Sequence, residues 1–211
     1  MKIAEVYSVK SIKSELCKDW LLNVHYAKRI PSISFSFGLF FEKKMVGVCT
    51  YGRPVAHSLV KGAFSGEFQE LFLELNRLCV NEGLDKNALS FFVSKTLSKI
   101  PKPKVIVSYA DTSQNHNGYI YQATNWIYTG LSAKRKDYVV RGMEKLHSAS
   151  IMDLVGRSDK SGHIKKVEEL KKKFGEENVY TIDRPRKHRY FYFLGSKSDI
   201  KNMRKLLAYD V

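Results

Sequence analysis

Three polar clusters in this chain of 211 residues carry residue types and spacings suited to chemistry. The first is Ser108-Tyr109-Ala110-Asp111, which ends an apolar run. A carboxylate at a strand end can accept or steer a proton, or it can cap the helix that follows. The second is the loop Glu82-Gly83-Leu84-Asp85-Lys86-Asn87-Ala88, which separates an apolar strand from a helix. Lys86, Asn87, Ala88 and Ser90 lie where the free amides of a helix start collect phosphate. The third is Arg77 beside Leu78, inside the otherwise apolar Leu75–Val80. A charge in that setting needs a partner, either a ligand phosphate or a carboxylate such as Glu74. His25-Tyr26, just ahead of Lys28-Arg29, adds an imidazole that titrates near neutral pH. A solvent-facing helix end is the plain alternative for it.

The elements around these clusters follow from periodicity and punctuation. Ile3–Val9 alternates as a first strand. Ser11 is placed to cap a helix whose Ile12, Leu16, Trp20 and Val24 share a face, ending before Pro31. Ile33–Phe41 and Met45–Tyr51 read as an antiparallel hairpin turning at Lys43-Lys44. The stretch from Gly52 to Gly66 reads as a loop long enough to be functional. Leu71–Val80 is a strand, and the helix from Asn87 shows Leu89, Phe92, Val93, Thr96, Leu97 and Ile100 at helical spacing before Pro101. Lys104–Ala110 is a strand, Gln114–Thr124 a helix and Trp126–Gly130 a strand. This order brings a helix start and a strand end to one sheet edge, a usual ligand position in α/β folds. Farther on, the pattern gives a short strand at Tyr138–Val140 and an amphipathic helix through Ile164, Val167, Leu170 and Phe174. A strand at Tyr190–Leu194 follows, then a last helix capped by Ser198.

Composition narrows the partners. The net charge is +15, far from the balance of an ordinary small-molecule enzyme, and it favours a polyanion. Residues 131–211 hold 20 Lys and Arg against 11 Asp and Glu, and the first 130 hold 16 against 10. The last third is therefore the denser basic surface. No apolar run spans a bilayer, and Met1–Glu5 lacks the apolar region of a signal peptide, so a cytoplasmic protein is expected. Cys17, Cys49 and Cys79 sit in apolar contexts without metal-ligand spacing, which reads as reduced core thiols and no metal site.

Two resemblances add to this reading. The element order resembles the GNAT acetyltransferase fold, an α/β mixed central sheet flanked by helices. Tyr121-Gln122-Ala123-Thr124-Asn125-Trp126 is similar to that family's Y-x-x-x-G-F, with Asn125 and Trp126 replacing Gly and Phe. The resemblance implies that Tyr121 is a general acid. The family's pyrophosphate loop, Q/R-x-x-G-x-G/A, is matched only by Gly83 and Ala88, and its first position is the acidic Glu82. A closer resemblance covers nearly the whole chain. His25–Ser32, Gly47–Pro54, Glu74–Leu78, Ser108–Asp111 and Lys187-His188-Arg189-Tyr190 look like the Mom family of phage DNA-modification proteins.

That second resemblance implies attachment of a carbamoylmethyl group to the exocyclic amine of adenine, in a host-cell cytoplasm, so that restriction enzymes fail to cut. The amine is a poor nucleophile and must be positioned and relieved of a proton. Asp111 is the first choice for that base, with Tyr121, His25, Ser108 and Tyr109 around it. Arg77, Leu78, Lys86, Asn87, Ala88 and Ser90 are expected at the donor. Tyr26, Lys28, Arg29, Tyr51, Arg53, Lys134, Arg135, Arg184, Arg186, Lys187 and Arg189 are expected on double-stranded DNA, with the target base flipped out. The donor is acetyl-CoA or an activated glycine such as glycyl-tRNA; glycine supplies both carbons and the nitrogen of the added group. On this reading residues 1–130 form the catalytic core. Residues 131–211 form a basic, nucleic-acid-binding extension packed on it. The competing classes are an acyltransferase acting on another nucleic acid or protein amine, and a DNA-binding protein without catalysis.

Overall fold

The chain opens with a single helical turn, α1 (Ile3–Val6), and enters β1 (Tyr7–Ser11), which pairs antiparallel with β2 (Phe35–Phe41). The structure, a computed structural model, describes residues 2–54, 57–64, 68–155 and 162–209, and all of these but 57, 58 and 162–165 with side chains. β2 and β3 (Lys44–Gly52) form a hairpin around Glu42-Lys43, both at positive φ, the geometry that keeps the twist of the flanking strands. Then come α2 (His57–Ala63), β4 (Phe72–Val80), α3 (Ala88–Lys99), β5 (Lys104–Asp111), α4 (Tyr119–Ala123) and β6 (Ile127–Leu131). Beyond them lie β7 (Lys136–Val140), α5 (Ser148–Asp153), α6 (Gly162–Phe174), β8 (Val179–Asp183), β9 (Lys187–Leu194) and α7 (Lys197–Leu206).

These elements divide into two compact units, Met1–Leu131 with Lys187–Val211, and Ser132–Arg186. In the first unit a seven-stranded sheet runs β1-β2-β3-β4-β5-β9-β6. Each neighbouring pair is antiparallel except β4 and β5. Both faces of the sheet are covered. One buries Phe37, Leu39, Leu75, Ile106 and Tyr190 with Phe92 and Val93 of α3 and Tyr121 of α4. The other buries Val105, Val107, Phe191 and Phe193 with Leu59 and Val60 of α2 and Met203 of α7. The expected mixed sheet flanked by helices is the observed architecture. In the second unit β7 pairs antiparallel with β8, and Val139, Val140, Ile151, Leu170 and Val179 form a core of their own.

Several expected elements differ. The boundary at 130/131 is not where the basic third separates: Lys187–Val211 returns to the first unit, because β9 is inserted in the sheet between β5 and β6. The N-terminal helix is irregular, a tight turn at Ser14–Cys17 running into a wide π turn at Trp20–Val24. The changing pitch buries Cys17 and Leu21 and leaves Leu16 and Val24 exposed, so of the face read at regular helical spacing only Ile12 and Trp20 pack. The loop read from Gly52 to Gly66 contains α2, whose Leu59, Val60 and Ala63 are core; residues 55–56 and 65–67 lie outside the described set. The helix read at Gln114–Thr124 is broken by Asn115 and Gly118, both left-handed. A Cβ at Gly118 would meet the Tyr190 ring at 2.3 Å, so only glycine lets α4 start there. The last helix is capped by Ser196 in a capping box with Asp199, not by Ser198. β8 was missed because four of its five residues are exposed, leaving no apolar alternation to read. Leu170 of α6 is buried as expected; the Ile164 side chain lies outside the described residues.

Candidate functional site

The parallel pair at the centre of the sheet is short. β4 and β5 pair only over Phe72–Glu74 and Val105–Val107. β4 nevertheless continues to Val80 on β3, and β5 to Asp111 on β9. The two strands therefore part beyond Glu74 and Val107, and the tail of each lacks the other as a ladder partner. A bulge sharpens the divergence: Tyr51 opposes Leu75 and Thr50 opposes Arg77, which leaves Asn76 as the extra residue. The Asn76 amide donates to Ser32 O (2.8 Å) and accepts from Thr50 Oγ1 (2.7 Å), fixing the bulge to the neighbouring strand.

A pair of hydroxyls sits where the strands part. Ser108 Oγ donates to Leu75 O (2.8 Å) and shares a 2.7 Å hydrogen bond with Tyr121 Oη. Tyr121 is buried, its ring centroid 5.0 Å from those of both Trp126 and Tyr190. Burial pushes its pKa well above the usual value, against the opposing hydrogen bond to Ser108. It is a neutral proton donor.

A second cluster gathers at the C-terminal end of β5. Asp111 Oδ2 pairs with Lys187 Nζ at 2.7 Å, and Oδ1 accepts from Ser113 N (3.1 Å) and Ser113 Oγ (2.7 Å). Burial raises the Asp111 pKa, but Lys187 and Ser113 outweigh it and the net shift is downward. Asp111 is therefore a held carboxylate and a weak base. Tyr26 stacks on His25 (4.4 Å between centroids, 27°) and meets His116 edge-on at 6.1 Å. Burial raises the Tyr26 pKa, and the charge of Asp111 adds to it. His25 is buried, and its Nδ1 accepts the Ala27 amide (3.0 Å), so in the neutral ring the proton lies on Nε2. Burial lowers its pKa to about 4, helped by the positive charges of Arg77, His116 and Lys187. His25 thus presents a neutral donor near pH 7. Arg77 donates through Nη1 to Asn76 O (2.6 Å) and through Nη2 to Arg29 O (3.4 Å). Its Nε is buried with no hydrogen-bond partner among the described residues. An orphaned buried donor carries a full desolvation penalty, which a bound acceptor would relieve.

The loop before α3 leaves the helix start open. Asn87 is left-handed (φ 74°) and its side chain caps nothing. Ser90 Oγ donates back to Asn87 O. The carboxylate of Asp85 accepts from Tyr7 Oη (3.0 Å), which ties this acid to β1. A groove of about 380 Å³ runs past Asn87, Ser90, Phe91 and Ser94 on α3, with Thr124 and Asn125 on its other wall. Lys86 is exposed beside it. Ala88 is fully buried and Leu78 packs on the main core, so both are packing positions rather than contacts to a donor.

The structure separates the remaining expected site residues. Tyr51 is fully buried with its hydroxyl on Thr96 (2.7 Å), so it cannot stack on a base. Tyr109 belongs to the opposite core, away from Ser108 and Tyr121, as strand alternation requires. Arg53, Lys134 and Arg135 are exposed. Arg184 is paired with Asp137 and Arg186 Nε donates to Ser132 O (2.6 Å). Arg189 holds Thr129 through Oγ1 (2.9 Å) and O (2.8 Å) and lies 3.6 Å over the Tyr209 ring. The basic run is thus largely occupied by its own fold. His116 and Asn76 were missed in the sequence. A polar Asn-His-Asn-Gly turn directly after a strand end was the available signal for His116. No local signal marks a bulge at Asn76. Among the described residues no cluster of His, Cys, Asp or Glu is arranged to hold a metal, and the three cysteines are free and buried.

The family model described as the Mom protein family matches residues 6–209. Methylcarbamoylase mom of Escherichia phage Mu is 25% identical over 134 residues, covering 59% of this chain and 56% of that protein. The alignment therefore spans about half of the relative's length. Solved structures are similar at lower identity. A GNAT family acetyltransferase from Bacillus cereus gives a TM-score of 0.43 at 11% identity, covering 89% of this chain and 96% of that one. A GNAT family acetyltransferase from Elizabethkingia anophelis with acetyl-CoA bound gives 0.40 at 12% identity, covering 90% and 99%. No helix among the described residues is long and apolar enough to cross a membrane.

Proposed function

Because the chain belongs to the Mom protein family, we propose that it is a transferase that modifies the exocyclic amine of adenine in phage DNA, inside the host cell, with a carbamoylmethyl group. The name of the phage Mu relative, a methylcarbamoylase, supports the class of group transferred. The observation that carries the mechanism is the Tyr121–Ser108–Leu75 hydroxyl chain where β4 and β5 part.

The parting strands make a slot for an activated acyl donor. A coenzyme A-type donor fits the residues present: an uncapped helix start at Asn87, the exposed Lys86, and the Ser90 and Ser94 groove. Such a donor supplies an electrophilic carbon with a good leaving group. An activated glycine supplies both carbons and the nitrogen of the added group, and glycyl-tRNA would be one form of it. Acyl transfer joins the amine to the carbonyl carbon, so a rearrangement to the methylene-linked isomer must follow.

The chain's own residues supply proton control and orientation. Ser108 has one proton and two acceptors within reach. When that proton serves Leu75 O, the Tyr121 hydroxyl donates to Ser108. When Ser108 turns to Tyr121, the phenolic proton is released for the leaving group. Arg77 Nε and the Nε2–H of His25 are donors that a developing oxyanion can take. Asp111, tied to Lys187, lies near enough to Tyr26 for its charge to act on the phenol, and the two position the edge of a base stacked beyond them. The base must leave the duplex to reach this site, at a cost of a few kcal/mol.

Plasmid co-expressed with the protein should resist adenine-sensitive restriction enzymes. Nucleoside mass spectrometry should give an adenine heavier by the carbamoylmethyl group. Unmodified, fully cut plasmid from soluble protein would end this reading. Labelled glycine or acetate fed to the cells would identify the donor.

A further inference from the structure

Resting on the reading of DNA as substrate, we infer that the turn at Leu22–Ile30 is the element that enters the duplex and fills the gap left by the extruded base. Leu22, Val24, Tyr26 and Ile30 are 41%, 53%, 45% and 45% exposed. Four large apolar side chains on nine residues is a dense unburied patch for a surface segment. The apolar cluster beneath this region takes Cys17, Leu21, Ile12 and Trp20, and none of these four. The backbone explains why they point outward. The π turn at Trp20–Val24 is stopped at His25, Lys28 N bonds back to His25 O (3.0 Å), and Lys28 takes a left-handed φ of 43°. That closes a projecting turn whose inner residue, His25, is buried while its flanks are not.

The occupant follows from charge and place. From Trp20 to Phe41 the chain holds no acidic residue, and Lys28 and Arg29 are its only fixed charges. A turn that is apolar at its tip and cationic at its base suits a stacked polyanion. Wedges of Leu, Ile and Phe between base steps, flanked by Lys and Arg, are how many proteins unstack and bend DNA. The position is also specific. Tyr26 in the middle of the turn meets His116 edge-on at 6.1 Å, just past the strand end at Asp111, so a wedge here opens the duplex beside the reacting groups. Leu22 and Val24 would replace the stacking lost by the flipped base. Tyr26 would meet the base itself.

The test uses the whole protein carrying Leu22→Ser and Val24→Ser, both exposed and outside the core. On duplex DNA, modification should fall by about tenfold or more, the equivalent of over one kcal/mol of lost opening. On heat-denatured DNA, already unstacked, it should stay within about twofold of wild type. Independently of activity, wild-type protein should raise the fluorescence of a duplex with 2-aminopurine in place of scattered adenines, and the variant should not. Equal losses on duplex and denatured DNA, or an undiminished fluorescence rise, would overturn the wedge. A wild type that is dimeric by light scattering and a variant that is monomeric would instead assign the patch to a second copy of the chain. Wild-type protein that modifies neither DNA form would count against the DNA reading as a whole, whatever the variant does.

Discussion

The strand-end cluster around Asp111 and the basic run Arg184–Arg189 are both rich in charge, yet the fold treats them in opposite ways. In the run each arginine is engaged by a neighbour: Arg184 by Asp137, Arg186 by Ser132 O, Arg189 by Thr129 and the Tyr209 ring. In the cluster the groups are left short of partners or set against their solution chemistry. Arg77 Nε has no acceptor among the described residues, His25 is kept neutral, and the Tyr121 proton is shared with a serine that has another acceptor. Charge density along the sequence reports the first kind of region as strongly as the second. Only the unsatisfied valences mark where a ligand is to be bound.

The largest effect should come from Tyr121→Phe. It removes one hydroxyl and keeps the ring between Trp126 and Tyr190. If the phenol supplies the proton, modification falls ~10²–10⁴-fold. Ser108 keeps Leu75 O, so the stability loss should be only about 1 kcal/mol. Mass spectrometry of nucleosides and a thermal melt measure the two. A wild-type rate would reduce the hydroxyl pair to a packing feature and erase the contrast between the two regions.

Asp111→Asn should lower activity by about 10–100-fold through lost orientation of Tyr26 and Lys187, a positioning effect. It should also cost stability, because the 2.7 Å ion pair with Lys187 is lost and the turn after β5 keeps a weaker cap. The wild-type carboxyl titrates below its ordinary value in the folded chain. The stability it adds is therefore complete above the unfolded pKa and is lost as pH falls through the lower folded one. Acid melts of wild type and variant should converge there. A variant with unaltered melting and activity would mean that the cluster does not depend on the Asp111 charge.

His25 gives a signature of the same direction in a higher pH window. Its folded pKa is lowered to about 4. As pH falls below the ordinary value near 6.5, the unfolded chain takes a proton that the folded chain refuses, and stability declines from there down to about pH 4. Because the ring acts neutral, the rate should show no inflection between about pH 6 and 7. An acid limb there that disappears in His25→Gln would make the imidazole a general base instead.

Much of the first unit was legible from the sequence. The hairpin, β4, α3 and β5 bury continuous or alternating apolar residues, and those patterns translate directly into sheet and helix. Ser108, Asp111 and His25 could be read as strand-end and turn polar groups. The cleft could not be read, because a strand that stops pairing halfway carries the same Val and Ile as one that does not. The bulge at Asn76 is likewise a matter of register between strands distant in sequence. The return of β9 to the core was masked by its basic start. Lys187, His188 and Arg189 look like surface, yet they sit opposite Asp111, Ala110 and Tyr109 within the sheet, between β5 and β6.

The smallest effect tests that last point most directly. Were Arg184, Arg186 and Arg189 phosphate ligands, replacing all three by Gln would flatten log affinity against log salt by about 3, at roughly 0.9 per contact. Their guanidiniums are instead held by Asp137, Ser132 and Thr129, so the slope should change by less than about 1. The melting temperature should fall, since Arg189 alone loses two hydrogen bonds and a cation–π contact at 3.6 Å. The exposed Lys134 and Arg135 would then be the basic residues of this third to examine for phosphate contact. A fluorescence-anisotropy titration over a salt series decides the matter. A drop of about 3 with unchanged melting would show that DNA displaces these internal partners, and the two regions would then differ only in when they bind.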